Sequence, residues 1–355
     1  MHRLSVSRLP SGKAAAQIGL LIALLLTVPF AIRVVNAWHH DVPEPPSYLP
    51  ALEGPRARDP FDATPVRDLA RMNPGYVIIG DSMAGTRIDP RRLTELAGQP
   101  IAPLLHPGSG PAWWYLVLKN WVIASQVRPR CVFIFFRDTN LTNVMFRLDE
   151  QFRWMVDFAA HEREDELNSV IATRTEGPWF RLAGTFESIY GAGRARRWIE
   201  PALTQAVGRT LIPSRRQHAA FMSSMNARFS LDHLRPMEAA DIQSAEEHDA
   251  DFGRYVNRSL LPLMLRDAKA AGLTLCFVRV QRRPEGGRPP YQSRALRRYV
   301  TDLRAYIESH GGILHDDTGD TALTLDMYAD GDHLAGTARR LYTEIFFERL
   351  KPLFK

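Results

Sequence analysis

Cysteine is nearly missing from this chain: Cys131 and Cys276 are the two thiols among 355 residues. There is also no CxxC pair, no HExxH segment, no GxxxxGK[ST] loop and no internal repeat. These absences exclude a disulfide scaffold, a zinc site of the usual spacing and a phosphate-cradling loop, and they imply no metal or organic cofactor. Each cysteine sits inside an apolar, β-rich run, CVFIFF and LTLCFV, where a thiol packs as a small hydrophobe. Buried free thiols are therefore expected, with an oxidised pair conceivable only if the two strands are neighbours.

Charge of one sign is scarce as well. The formal charge of +6 looks basic, yet Arg3, Arg8, Lys13 and Arg33 precede residue 38, where no acid occurs, so the rest of the chain carries +2. That balance offers no footprint for nucleic acid. The remaining composition, 45% hydrophobic and 24% charged, supports one large core or a core with a sizeable insertion.

An uncharged apolar run fills residues 18–32, with basic residues before it and Arg33 after it. Residues 1–37 thus read as a signal-anchor, or as a signal peptide cleaved after the small residues Val35-Asn36-Ala37. The positive flank places everything after residue 38 outside the cytoplasm. A proline-rich stretch without sustained periodicity, 38–73, reads as a stalk, and the folded part is expected to begin near Pro74.

From there, strand-like runs alternate with helical ones: YVIIG (76–80), IAPLLH (101–106), CVFIFF (131–136), LTLCFVRV (273–280) and GILH (312–315). Continuous apolar strands separated by helices predict an α/β fold with a parallel sheet covered on both faces. The core is expected over 74–140 and 268–355. The interval 141–267 is too long for a crossover and reads as a helical insertion.

Ligands of open parallel sheets bind at the carboxyl ends of the strands. Those ends carry Gly80-Asp81-Ser82, His106-Pro107-Gly108-Ser109-Gly110, Arg137-Asp138-Thr139-Asn140 and, after the fifth strand, Asp330 and His333. A serine at a strand end is either a helix cap or a nucleophile, and Ser82 alone does not separate the two. A nucleophilic serine needs a histidine base, an orienting carboxylate and fixed donors for the oxyanion. Asp330, three residues before His333, can orient the imidazole, with Asp332 as the alternative acid. Ser82 N–H, the backbone at Gly108 and the Asn140 amide can serve as donors.

In their order, GDS at 80–82, a glycine after the second strand, Asn140 after the third and DxxH at 330–333 resemble the blocks of the SGNH, or GDSL-type, hydrolase superfamily. Gly108 fits the second block, with Gly110 as another register. The third block departs from GxND, since Asp138 stands at its glycine and Leu141 at its final acid. The resemblance covers 74–140 and 268–355 and implies a flavodoxin-like three-layer core, with Ser82, Asp330 and His333 catalytic and Ser82, Gly108 and Asn140 at the oxyanion. Anchor, stalk and insertion resemble in particular the extracytoplasmic O-acyltransferases that partner polytopic membrane-bound O-acyltransferases in cell-envelope glycan acetylation. That likeness implies a glycan or other envelope polymer as substrate, a single-pass inner-membrane protein with its catalytic domain in the periplasm, or a secreted one if the leader is cleaved. A secreted esterase or deacetylase, and a non-catalytic glycan-binding scaffold, are the other two readings.

Arginines complete the list. Arg137, Arg279 and Arg282 follow strands three and four and are candidate substrate contacts, although a loop charge run is often merely solvated. Within the insertion, residues 174–235 hold ten arginines, no lysine and four acids. Planar guanidinium groups suit carboxylates and phosphates, and Arg194, Arg196 and Arg197 read either as a solvated face or as a hold on an anionic polymer.

Overall fold

The apolar runs build the sheet. In the computed structural model they form β1 (Tyr76–Gly80), β2 (Ile101–Leu105), β3 (Cys131–Phe136), β4 (Leu275–Arg279) and β5 (Ile313–Asp316), all parallel, in the order β2-β1-β3-β4-β5. This is the doubly wound order 2-1-3-4-5, whose direction of winding reverses between β1 and β3. The structure describes residues 61–148, 150–161, 164–175, 250–284 and 288–354, with residues 16–21, 23, 24, 27 and 30 near the amino end. Two compact units divide the chain, Met1–Pro45 with Glu176–Ala220, and Pro46–Thr175 with Phe221–Lys355. The first is described only in that short amino-terminal helical stretch; everything below belongs to the second.

Side chains alternate across the strands, so two cores form. Val77, Ile79, Val132, Ile134 and Phe277 face one side, and Tyr76, Ile78, Phe133, Phe135, Cys276 and Val278 the other. Helix α1 (Thr64–Met72) lies over the first face, and helices α2 (Ser82–Arg87) and α3 (Pro90–Ala97) over the second. Helix α4 (Pro111–Val117) is buried at all seven positions and runs on into a π-helical turn at Leu118–Ile123. A helix apolar all round has to be interior. Its outer cover includes α1, α5 (Glu150–Ala159) and α7 (Leu261–Ala270). Helix α6 (Asp165–Thr175) follows α5.

Polar groups tie that cover to the core. Asn120 donates to the Ala159 carbonyl and to Glu164, both at 2.8 Å, and Lys119 reaches Glu164 at 2.6 Å. The bidentate pair between Arg266 and Glu166, with the hydrogen bonds from Arg266, holds the Glu166 carboxyl below its usual range. On the carboxyl side, α8 (Arg294–Ser309) buries Leu296, Tyr299, Val300, Leu303 and Ile307, a helical stripe started by the Ser293 cap on Leu296 N. The hairpin β6 (Tyr328–Asp330) and β7 (His333–Leu334) follows, and α9 (Arg339–Arg349) closes the second face with Tyr342 and Phe346.

Three boundaries differ from the sequence expectation. The folded unit starts before Pro74, because Val66 and Leu69 give α1 one apolar edge, too short to stand out as a period. Helix α7 spans residue 268, the expected end of the insertion, and α5 packs against α4, so the start of the insertion is part of the same body as the sheet. The remainder of the expected insertion, 176–249, with Arg194, Arg196 and Arg197, lies outside the described residues, as do positions 31–60 of the expected anchor end and stalk. Among the described residues no helix is long and apolar enough to cross a membrane, and the apolar run 18–32 is described only in part.

Phe133 pairs with Cys276 in register, which puts Cys131 and Cys276 on adjacent strands; both are buried free thiols. Hydrogen bonding to Cys131, together with burial, raises the Cys276 thiol well above its ordinary pKa, which keeps Cys276 a thiol.

Candidate functional site

Strand β1 stands at the reversal of winding, and its end delivers Gly80-Asp81-Ser82 to the switch point. Gly80 is needed for the close approach of strand and helix: a Cβ there would lie 2.8 Å from Ala84 Cβ. Asp81 is the cap of α2, its Oδ1 accepting from Met83 N at 2.8 Å. Capping therefore falls to Asp81, and the hydroxyl of Ser82 is free for another partner.

That partner is His333. Its Nε2 lies 2.9 Å from Ser82 Oγ. The histidine comes from the two-residue strand β7, paired antiparallel with β6 so that Asp330 stands opposite His333, across a turn in which Gly331 has φ 51°. Opposed residues of an antiparallel pair are close enough for their side chains to meet. The side chain of Asp330 itself lies outside the described residues.

Asp332, the other acid beside the histidine, is committed elsewhere. It is 9% exposed, forms an ion pair with Arg137 through a very short contact to Nη1, and accepts from Arg283 N at 2.9 Å. Burial works against the Arg137 cation, but the carboxylates of Asp332 and Asp138 outweigh it and raise its pKa. The pair joins the end of β3 to the hairpin that carries the base.

Loop 106–110 closes the other side. Gly108 has φ 76°, and a Cβ on it would lie 2.4 Å from Phe152 Cε1. A Cβ on Gly110 would lie 2.3 Å from the Phe146 carbonyl. Ser109 is buried, donating to the Gly80 carbonyl at 3.2 Å and accepting from Trp114 Nε1 at 3.0 Å, which holds the loop on the strand end that bears Ser82. Among the described residues neither Ser82 N–H nor Gly108 N–H donates to another group. Asn140 opens a short 3-10 turn, Asn140–Thr142, half-buried, its backbone N–H donating to the Arg137 carbonyl at 3.0 Å.

The sequence offers Arg137, Arg279 and Arg282 as ligand contacts, and the structure places them in one ion network. Arg279 is 1% exposed and donates to Asp316, Thr318 and Gln292, so it is engaged with protein groups. Arg282 donates to Asp138 Oδ2 at 2.8 Å, and Arg279 approaches the other oxygen of Asp138. Arg137, with 34% of its side chain exposed, keeps the most open surface of the three.

Two residues have roles that sequence reasoning did not assign. Asp138 has φ 49°, the left-handed conformation in which aspartate is one of the tolerated non-glycine residues. The sequence shows an acid at the glycine position of the third block, but not that it pairs with Arg137, Arg279 and Arg282. Arg87, the last residue of α2, is fully buried, donating to the carbonyls of Met83 at 3.2 Å and Gln281 at 2.7 Å, with the rings of Tyr328 and Tyr342 5.9 and 5.8 Å away. It fastens the serine-bearing helix to the segment after β4. Burial raises the Asp81 carboxyl pKa, partly countered by the hydrogen bond from Met83 N–H and by the charges of Arg137 and Arg87.

The arrangement supplies groups of the kind that acyl chemistry uses. A serine hydroxyl on an imidazole nitrogen, with free backbone donors beside it, holds the parts of a nucleophile, a base and an oxyanion site. Among the described residues no group of acids, histidines and cysteines is arranged to hold a metal ion. No family model matches the sequence, and a search of curated proteins finds no match.

Proposed function

We propose that the chain is a serine-dependent O-acyltransferase of the SGNH type, moving an acyl group through Ser82 to a glycan hydroxyl outside the cytoplasm. The observation that carries this reading is the 2.9 Å contact between Ser82 Oγ and His333 Nε2, made by a serine that does not cap its own helix. The order of the strand-end motifs and the basic, apolar amino end support the family and the compartment.

In this mechanism His333 Nε2 takes the Ser82 hydroxyl proton as Oγ attacks the acyl carbonyl of the donor. The tetrahedral oxyanion is met by the N–H groups of Ser82 and Gly108, with the Asn140 amide as a third donor. Collapse breaks the bond to the donor's leaving group, which receives the proton from His333 and leaves acyl-Ser82. The acceptor hydroxyl then gives its proton to His333 and attacks the ester, and Ser82 regains the proton when the new ester departs. Asp330 keeps Nδ1–H oriented throughout. A polytopic membrane acyltransferase is the natural supplier of acyl groups to such a domain. Water in place of the sugar would make the same groups an esterase.

Labelling with a fluorophosphonate tests the chemistry: the wild-type chain should label at Ser82 and Ser82→Ala should not. The direction follows from the acylation of envelope glycans in a deletion strain. Reduced acylation supports transfer, raised acylation supports hydrolysis, and an unlabelled wild type leaves the non-catalytic scaffold.

A further inference from the structure

Arg147 lies on the rim of this site and takes no part in the chemistry above. It is exposed and has φ 61°. Its guanidinium lies over two rings, 4.4 Å from the centroid of Phe152 and 5.2 Å from that of Phe146. Among the described residues it forms no hydrogen bond and no ion pair, unlike Arg137, Arg279 and Arg282.

Its connection to the serine runs through the 108–110 loop. Phe152 packs on Gly108, and the Phe146–Arg147 backbone packs on Gly110, where an added Cβ would lie 3.2 Å from Arg147 Cβ. Between the two glycines, Ser109 grips the carbonyl of Gly80, two residues before Ser82. A guanidinium laid on aromatic faces keeps its plane while its N–H edge stays open, which is the form that accepts a carboxylate or phosphate in a bidentate way. Left-handed backbone at a bulky residue is uncommon, and here it sets the arginine on its platform instead of leaving it to wander in solvent.

We infer that Arg147, on its Phe146–Phe152 platform, is an anion subsite that selects acceptors carrying a carboxylate or phosphate group beside the hydroxyl to be acylated. The inference rests on the glycan-acyltransfer reading and deepens it by naming the charge of the acceptor. A simple role in shielding the two rings would need only the aliphatic stem of the side chain, which glutamine keeps in part.

Binding can be separated from turnover by titrating the full-length Ser82→Ala protein with three oligosaccharides of equal length: neutral, uronate-bearing and phosphate-bearing. The expected result is at least about tenfold tighter binding of a charged oligomer than of the neutral one, about 1.4 kcal/mol, weakening as salt rises. The arm that binds identifies carboxylate or phosphate as the source of the charge. Adding Arg147→Gln should remove the preference, and Arg147→Lys should restore part of it. Equal binding of charged and neutral oligomers, or a preference that survives Arg147→Gln in a protein of unchanged circular dichroism, would overturn the subsite. Failure of wild-type Ser82 to label with the phosphonate, alongside Arg147-dependent binding, would overturn the acyltransfer reading and leave the subsite standing.

Discussion

His333 Nε2 and Ser82 Oγ stand 2.9 Å apart across 251 residues of sequence. One comes from the first strand end and the other from a hairpin after the last, so only the folded sheet brings them together. Ser82→Ala and His333→Ala should each lower turnover by about 10⁴-fold or more, while thermal unfolding stays within a few degrees of wild type. Turnover of an aryl ester, read beside a melting curve, checks both halves. A variant that keeps its rate sinks the pairing as a catalytic contact.

The two acids of the hairpin should behave differently. Asp330→Asn is expected to cost about 10⁴-fold in rate, as for an imidazole held in the wrong tautomer, with stability little changed. Asp332→Asn weakens a charged pair with Arg137 on a nearly buried carboxylate, so it should cost about 1.5–3 kcal/mol of stability. Urea melts and rates on both variants would show the contrast. The reverse pattern would transfer the orienting role to Asp332.

Gly108 is constrained twice, by φ 76° and by Phe152 at 2.4 Å from the missing Cβ. Gly108→Ala should therefore cost about 1–2 kcal/mol from the backbone alone, and more from the displaced ring. Pairing it with Phe152→Leu relieves the crowding and leaves the backbone cost, so partial recovery is expected. Full recovery in a denaturation series would show that the left-handed conformation contributes nothing.

Asp81 gives a pH dependence of unusual sign. Burial raises its folded-state pKa, so the folded chain keeps that proton longer than the unfolded chain does. The associated stability is fully present below the unfolded value of about 3.9 and is lost as pH rises through the raised folded value. Asp81→Asn retains a cap acceptor and does not titrate. The stability of this variant relative to wild type should climb from about pH 4 upward and then level off. Chemical denaturation at a series of pH values measures that difference, and a flat line contradicts it.

Much of the sheet was legible because each strand is a short apolar run with a polar or glycine end, and buried parallel strands leave that mark in one dimension. Ser82 and Gly108 stand just past the ends of such runs, whereas His333 was singled out by its spacing from Asp330 and its place behind the GDS motif. The short hairpin was not legible, since β6 and β7 together span few residues, and Asp332 in its turn is held by Arg137 from a distant part of the chain. Helix α1 was missed because its apolar edge has meaning only against the π-helical turn it covers. Asp138, Arg87 and Arg147 were beyond reach in a subtler way: their roles depend on a backbone angle or on what surrounds a side chain, and composition carries neither.

The base of the proposed dyad rides on a two-residue strand, whereas the nucleophile follows a five-residue strand in the middle of the sheet. The two halves of the site therefore belong to cooperative units of different stability. Amides of β1 should exchange with solvent only through global unfolding, and those of the hairpin through a cheaper local opening. On heating, the imidazole would part from the hydroxyl while the sheet is still intact, and activity would fade below the temperature at which the protein melts.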